Sequence, residues 1–156
     1  ILEIGSFEGR SAIFFTSEYK NSSITCVDTW KGSDEHNDFD FLIIEKNFDI
    51  NTAQIKYADR LKKYKKNSDI FFSENKDDFD IIYVDGDHSH NQLKKDIENS
   101  WCILKNGGIL ILDDYVWWYY KKLTENPASV INNFILKKIN EISDLIVWKQ
   151  VLIKKK

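Results

Sequence analysis

The chain has 156 residues, the size of one domain, with 42% hydrophobic and 30% charged residues but only 1 Pro and 6 Gly, which excludes collagen-like, mucin-like and wholly disordered readings. A net charge of −3 and a pI near 5.6 leave no global positive field to draw in nucleic acid or an anionic membrane. No apolar run approaches the roughly 18 residues of a membrane span, and two cysteines, Cys26 and Cys102, make neither a disulfide framework nor a zinc site.

In chain order, Ile1 to Ile4 reads as a short buried strand ending at Gly5, Ser11 to Lys20 as a helix, and Ile24 to Val27 as a second strand ending at Asp28. Phe39 to Phe48 has helical character within an otherwise polar stretch, and Arg60 to Tyr64 is a weaker third strand. Asn67-Ser68 offers an N-cap for a short helix over Asp69 to Glu74. Phe79 to Val84 is an apolar, β-branched run that ends at Asp85. Leu93, Ile97, Trp101 and Leu104 recur at helical spacing, so Ser89 to Leu104 is an amphipathic helix, stopped by Asn106-Gly107-Gly108. Ile109 to Leu112 is the next strand, ending at Asp113-Asp114. Asn126-Pro127 reads as a cap and first-turn pair ahead of a helix faced by Ile131, Ile135, Ile139 and Ile142, and Leu145 to Ile153 closes the chain as one or two strands.

Strands that alternate with helices and read as continuous apolar runs predict a doubly wound, mostly parallel α/β sheet covered on both faces, in a single domain. Both cysteines read as small core residues, and the clusters Lys62, Lys63, Lys65, Lys66 and Lys154 to Lys156 as solvated faces. The chain has no Met and opens on an apolar segment, which leads us to expect an excised piece whose upstream part is missing. No signal peptide is visible, and a cytoplasmic location is the expectation.

In such a sheet, ligands bind beyond the carboxyl ends of the strands. The residues there are Glu3 to Ser11, Asp28-Thr29-Trp30, Asn67-Ser68, Asp85 to His88 and Asp113-Asp114-Tyr115. Gly5 and Gly9 allow a tight turn and a close backbone approach, and the helix N-terminus at Ser11 suits a carboxylate or phosphate. The turn does not match the dinucleotide pattern G-x-G-x-x-G. Asp28, 23 positions after Gly5, can accept from both hydroxyls of a ribose. Glu3 beside the turn favours an ammonium over a pyrophosphate. Asp85, Asp113 and Asp114 follow two strands expected to be neighbours, and three converging carboxylates repel unless a cation lies between them. Oxygen ligands select a hard ion, Mg²⁺ first, with Mn²⁺ or Ca²⁺ as alternatives.

Glu3-x-Gly5-x-x-x-Gly9-x-Ser11, Asp28, the block Phe79 to Ser89 with its D-G-D-H-S, and Leu104-Lys105-Asn106-Gly107-Gly108 resemble class I S-adenosylmethionine-dependent methyltransferases with a Rossmann-like fold. Within them, the sequence is most similar to small-molecule O-methyltransferases of the catechol type and their sugar-modifying relatives. The resemblance implies that Glu3 and the Gly5 to Gly9 turn, Ser6 included, hold the methionine portion of the cofactor. It implies Ser11 at the carboxylate, Asp28 at the ribose and the Asn67-Ser68 turn at the adenine edge; Trp30, an aromatic two positions after Asp28, is expected to stack beside adenine. It also implies Asp85, Asp113 and Asp114 as ligands of a divalent ion, and an N-terminal helix over the cofactor that this chain lacks.

The catechol enzymes carry Asn at the position of Asp114, where sugar-modifying relatives can have Asp, and Lys at the position of His88. His88 is then the implied general base, and an imidazole, with an unperturbed pKa of about 6.5, is largely neutral at pH 7. Helix capping or a place beside the metal are alternative roles for His88. Asp87 either orients the imidazole or lies on the surface, and His36 and His90 read as surface residues. Trp117 and Trp118 wall a substrate pocket or simply pack. The function expected is methyl transfer to a hydroxyl of a small molecule or sugar. The rivals are a catalytically silent binding or scaffold domain and a nicotinamide-dependent oxidoreductase. A nucleic-acid methyltransferase is opposed by the acidic balance and the missing Asn-Pro-Pro-Tyr type motif.

Overall fold

Short β-branched runs bounded by Gly or Asp become the strands of one seven-stranded sheet in a computed structural model that describes residues 1–33, 39–54, 56 and 58–156. The elements are β1 (Leu2–Ile4), α1 (Arg10–Glu18), β2 (Ile24–Asp28), α2 (Phe41–Ala53), β3 (Leu61–Lys65), α3 (Ser68–Glu74), β4 (Phe79–Val84), α4 (His90–Ile103), β5 (Leu104–Leu112), α5 (Pro127–Lys138), β6 (Ile142–Val147) and β7 (Val151–Lys155). The strand order is β3-β2-β1-β4-β5-β7-β6. β1 to β5 are mutually parallel, and β7 runs antiparallel to both β5 and β6. The chain winds outward from β1 to β3 and then returns to place β4 on the other side of β1. The strand order therefore reverses between β1 and β4, where a crevice opens at the carboxyl ends.

Two apolar layers hold the helices on. One face packs Ala12 and Phe15 of α1 and Ile44 and Phe48 of α2 on Ile24, Cys26 and Tyr83. The other packs Phe71 of α3, Leu93, Ile97 and Trp101 of α4 and Ile131 and Phe134 of α5 on Leu2, Val27, Ile82 and Leu110. Alternate strand residues serve opposite layers, the double-sided burial that the unbroken apolar runs imply. No helix among the described residues is long and apolar enough to cross a membrane.

Several local expectations are corrected. α4 ends at Ile103, before the glycines; Leu104 pairs with Phe79 and the register then shifts to Ile109 opposite Ile81, so Asn106-Gly107-Gly108 lies within β5. Gly107 has φ +78, a conformation glycine adopts at little cost. Cys102 is exposed, because the buried stripe of α4 runs through Leu93, Ile97 and Trp101 and the next position is turned about 100° away. Asn126 does not cap α5 with its side chain; that side chain bonds to the backbone of Tyr120 and Lys122 instead.

The Lys155 ammonium donates to the carbonyls of Trp101 and Leu104, both at 2.8 Å, closing the C-terminus of α4 where a solvated face was expected. Arg60 does the same for the turn after α1, donating to the carbonyls of Thr16 (2.7 Å), Tyr19 (3.0 Å), Lys20 (2.5 Å) and Ser22 (3.0 Å). Charge-assisted bonds of this kind contribute about 2 kcal/mol together when their donor is partly buried. Arg60→Ala should therefore lower the melting temperature by about 6 °C in circular dichroism, and an unchanged transition would refute the capping role.

Candidate active site

A cavity of about 490 Å³ lies over the carboxyl ends of β1, β2 and β4. Its wall runs from Ser68, Gln92 and Asp96 past Gly5 and Asp28 to Asp85, His88 and Asp114. Gly5 has φ +87, and a Cβ there would stand 1.9 Å from the carbonyl oxygen of Asp85, so no other residue lets β1 and β4 meet so closely. Gly9 (φ +83) starts α1.

Asp28 ties the turn to β2. Its Oδ2 accepts from the backbone N–H of Ser6 and of Phe7, each at 2.9 Å, and its Oδ1 from Trp30 N–H at 2.7 Å. A carboxylate offers about four lone pairs, so the side chain keeps acceptor capacity for a ligand in the cavity. Trp30 does not stack there. Its ring is buried in the core, edge-on to Phe48 at 4.9 Å with the Lys63 ammonium 4.5 Å from its centroid, and its indole N–H donates to Phe7 O at 2.8 Å. A large apolar ring gains more under α2 than on an open wall, and from there it braces the glycine turn.

Behind the wall stand Ser6, Gly9, Ser11 and Glu3. Glu3 is fully buried, and among the described residues neither of its carboxylate oxygens, nor the Ser6 hydroxyl, has a hydrogen-bond partner. Burial pushes the Glu3 pKa up from 4.5 to about 7, against the pull of Ser11, Ser6 and Cys26 close by. Between these two values the folded protein holds a proton that the unfolded chain has released, so stability falls as pH rises from 4.5 to about 7 and is level above that. The whole effect is at most about 3 kcal/mol. Glu3→Gln should flatten this profile and raise the melting temperature at pH 8; equal pH dependence in both proteins would refute it.

At the other end of the wall, Asn67 caps α3 as the sequence predicts, its Oδ1 accepting from Asp69 N–H at 2.8 Å. Ser68 lies on the cavity beside Gln92 and Asp96 of α4, two residues that follow no strand end and are not among the sequence candidates. Asp96 is 1% exposed and burial raises its pKa to about 6. The signal available was an acid one position before the stripe residue Ile97, on the edge of the buried face.

The chemical end brings together Asp85, His88 and Asp114. His88 Nε2 is 3.0 Å from Asp114 Oδ2 and 3.7 Å from Asp85 Oδ1, and one ligand atom from each residue lies within 4.8 Å of the other two. Two carboxylates and an imidazole form a donor set that fits a divalent ion such as Mg²⁺ or Mn²⁺. Asp113 is outside this set and off the cavity wall. Its Oδ2 accepts from the Tyr83 hydroxyl and from Gln150 Nε2 at 3.0 Å, and its Oδ1 from Asp114 N–H at 2.8 Å.

Tyr83 also reaches Asp85 Oδ2 at 3.1 Å, so one phenol sits between two carboxylates; burial and the Asp85 charge push its pKa upward and keep it a donor. Burial raises Asp85 too, with His88 opposing and Asp113 and Asp114 adding to the rise. Asp87 does not orient the imidazole: its Oδ1 accepts from Ser89 N–H at 2.8 Å. The His90 ring meets Thr124 O at 2.8 Å, and His36 lies outside the described residues. Trp117 lines the cavity with its ring 6.0 Å from His88, whereas Trp118 is 83% exposed.

The sequence matches the methyltransferase-domain family over residues 2–115. No curated protein matches it. In structure it is similar to an O-methyltransferase from Bacillus cereus solved in complex with SAH (S-adenosylhomocysteine), with TM-score 0.70 and 16% identity over 99% of this chain and 73% of that one. It is also similar to the O-methyltransferase NovP, with TM-score 0.67 and 14% identity over 100% and 71%. A third likeness is to MycE of the mycinamycin biosynthetic pathway, solved with Mg and SAH, with TM-score 0.68 and 15% identity over 99% of this chain but 44% of MycE. At such identities these likenesses establish the fold. The family match spans β1 to the end of β5, the segment that supplies the glycine turn, Asp28, Asp85 and Asp114, so the chain belongs to the methyltransferase-domain family and is a class I S-adenosylmethionine-dependent methyltransferase.

Proposed function

We propose that the protein transfers a methyl group from S-adenosylmethionine to a hydroxyl oxygen of a small molecule or sugar, with a divalent ion held by Asp85 and Asp114 and with the adjoining His88 as general base. The observation that carries this reading is the single cavity onto which the glycine turn, Asp28 and the Asp85–His88–Asp114 set all open. The named O-methyltransferases of the same fold, solved with SAH or with Mg and SAH, support it. When bound, the sulfonium donor supplies an electrophilic methyl carbon and the ion a positive charge that acidifies a nearby hydroxyl.

The chain's own residues do the rest by positioning. Gly5 admits the donor close to the β1–β4 seam, Asp28 accepts from the ribose hydroxyls, and Ser68 meets the adenine edge. Glu3, buried and unbonded beneath the turn, favours the donor's ammonium, and Ser11 meets its carboxylate. His88 receives the acceptor's hydroxyl proton at Nε2, and the Asp114 carboxylate 3.0 Å away stabilises the imidazolium that results. Trp117 shields that side of the site from water. A second reading, His88 as a third ligand of the ion, is favoured by the 4.8 Å spacing of the set.

The test is incubation with methyl-labelled S-adenosylmethionine and a panel of hydroxylated compounds, with and without chelator. Label on oxygen that is lost on chelation is expected. Absence of both S-adenosylhomocysteine binding and transfer to any hydroxyl would overturn the proposal. Mn²⁺ titration of His88→Gln separates the two roles: affinity unchanged fits the base, whereas a roughly tenfold loss fits the ligand.

A further inference from the structure

Tyr83 lies behind the chemical end of the cavity, and the reaction proposed above gives it no task. Successive residues of a strand face opposite sides of a sheet. The ladder runs one residue past both β4 and β5, with Asp85 N–H donating to Ile4 O at 2.8 Å and Asp113 N–H to Val84 O at 3.0 Å. Tyr83 is in register with Ile111, so Tyr83, Asp85 and Asp113 share one face, the phenol diagonal to Asp113. Of the three, only Asp85 lines the cavity.

The phenol is held from two sides. Tyr83 is 7% exposed, and its ring packs edge-on to Phe15 with centroids 5.6 Å apart. Its hydroxyl meets Asp113 Oδ2, and that carboxylate is itself fixed by Gln150 Nε2 at 3.0 Å and by Asp114 N–H at 2.8 Å. Gln150 comes from the turn ahead of β7, which Trp148 N–H closes by donating to Gln150 O at 2.9 Å. The same hydroxyl stands 3.1 Å from Asp85 Oδ2. With that oxygen tied to the phenol, Oδ1 is the one that lies 3.7 Å from His88 Nε2, on the side of the proposed cation. A ligand carboxylate without an outer partner is free to rotate, and a cation must arrest that rotation as it binds; a hydrogen bond from behind removes this cost beforehand.

We infer that Tyr83 is a positioning residue for the cation site: its hydroxyl, anchored by Asp113 and Gln150, fixes Asp85 with Oδ1 turned toward the ion. This rests on the cation set proposed above. The experiment titrates Mn²⁺ by electron paramagnetic resonance and S-adenosylhomocysteine by calorimetry. The proteins are wild type, Tyr83→Phe, Gln150→Ala, Asp85→Ala and the double variant Tyr83→Phe with Asp85→Ala.

Tyr83→Phe should weaken Mn²⁺ binding about tenfold and leave S-adenosylhomocysteine affinity unchanged. Gln150→Ala should show a smaller loss of the same kind. In the Asp85→Ala background, Tyr83→Phe should cost no more than about a further twofold, because the group it acts through is gone. A merely structural role would give the same loss in both backgrounds. Unchanged Mn²⁺ affinity in a folded Tyr83→Phe overturns the inference, as does an equal loss in the Asp85→Ala background or a matching loss of S-adenosylhomocysteine affinity. Should Tyr83→Phe fail to fold, unchanged Mn²⁺ affinity in Gln150→Ala overturns it. Wild type that binds S-adenosylhomocysteine but no Mn²⁺ would instead overturn the cation set, and the inference with it.

Discussion

Asp85→Ala should lower methyl transfer by about 10³-fold while changing S-adenosylhomocysteine affinity by no more than about threefold. The asymmetry follows from where the side chain stands. Its backbone carbonyl closes on Gly5, and that contact survives the substitution. Its carboxylate faces the other way, with Oδ1 3.7 Å from His88 Nε2 and Oδ2 3.1 Å from the Tyr83 hydroxyl. Removing it takes one of the two carboxylates from the proposed cation set and leaves Asp114 to stabilise a protonated His88 alone.

Burial and the nearby Asp113 and Asp114 raise the Asp85 pKa, so this carboxyl gives up its proton at a higher pH than an ordinary aspartate does. Cation affinity in wild type should accordingly climb with pH until Asp85 is ionised, and Asp85→Ala should show a weaker, flatter dependence in Mn²⁺ titrations. Full activity in Asp85→Ala would refute the assignment of the chemical end of the site.

Asp28→Asn should weaken S-adenosylhomocysteine binding by about 50-fold, the scale of a charge-assisted hydrogen bond lost to a neutral one. Part of that loss is architectural. The native carboxylate accepts three backbone N–H groups, from Ser6, Phe7 and Trp30, whereas an amide offers acceptor lone pairs on one side only and turns its NH₂ toward a donor on the other. The variant should therefore also unfold about 2 kcal/mol more easily. Trp30→Phe separates the effects: it removes the indole bond to Phe7 O and part of the buried ring against Phe48 but leaves the Asp28 carboxylate in place, and should cost stability with a much smaller loss of affinity. Unchanged affinity in Asp28→Asn would remove Asp28 from the nucleoside site.

The parts of the site that stand at strand ends were readable before any fold was known. Asp28 is the last residue of β2, and Gly5, Asp85 and Asp114 sit one or two positions past β1, β4 and β5; in a parallel sheet every such position reaches the same rim. The identity of β4 and the stripe of α4 were equally plain, because double-sided burial forces an unbroken apolar run and one-sided burial forces a period near 3.6. The strand pairing of β7 and the true extent of β5 were not. Apolar composition alone does not say whether a C-terminal strand turns antiparallel, and Leu104 joins β5 only through its pairing with Phe79.

Amino-acid order by itself thus determined an α/β sheet with acids at its carboxyl rim, since burial period and turn chemistry are local properties. Tertiary structure alone decided which of those acids meet. Asp113 and Asp114 are adjacent in sequence, yet Tyr83 and Gln150 hold the first while His88 faces the second. Trp30 went beneath the turn because α2 offered Phe48 to pack against, and Asp96 reached the cavity because α4 lies beside Ser68 and the bare Gly86. These outcomes depend on distances between segments tens of residues apart, which the register of the sheet and the docking of the helices set, and which no local pattern encodes.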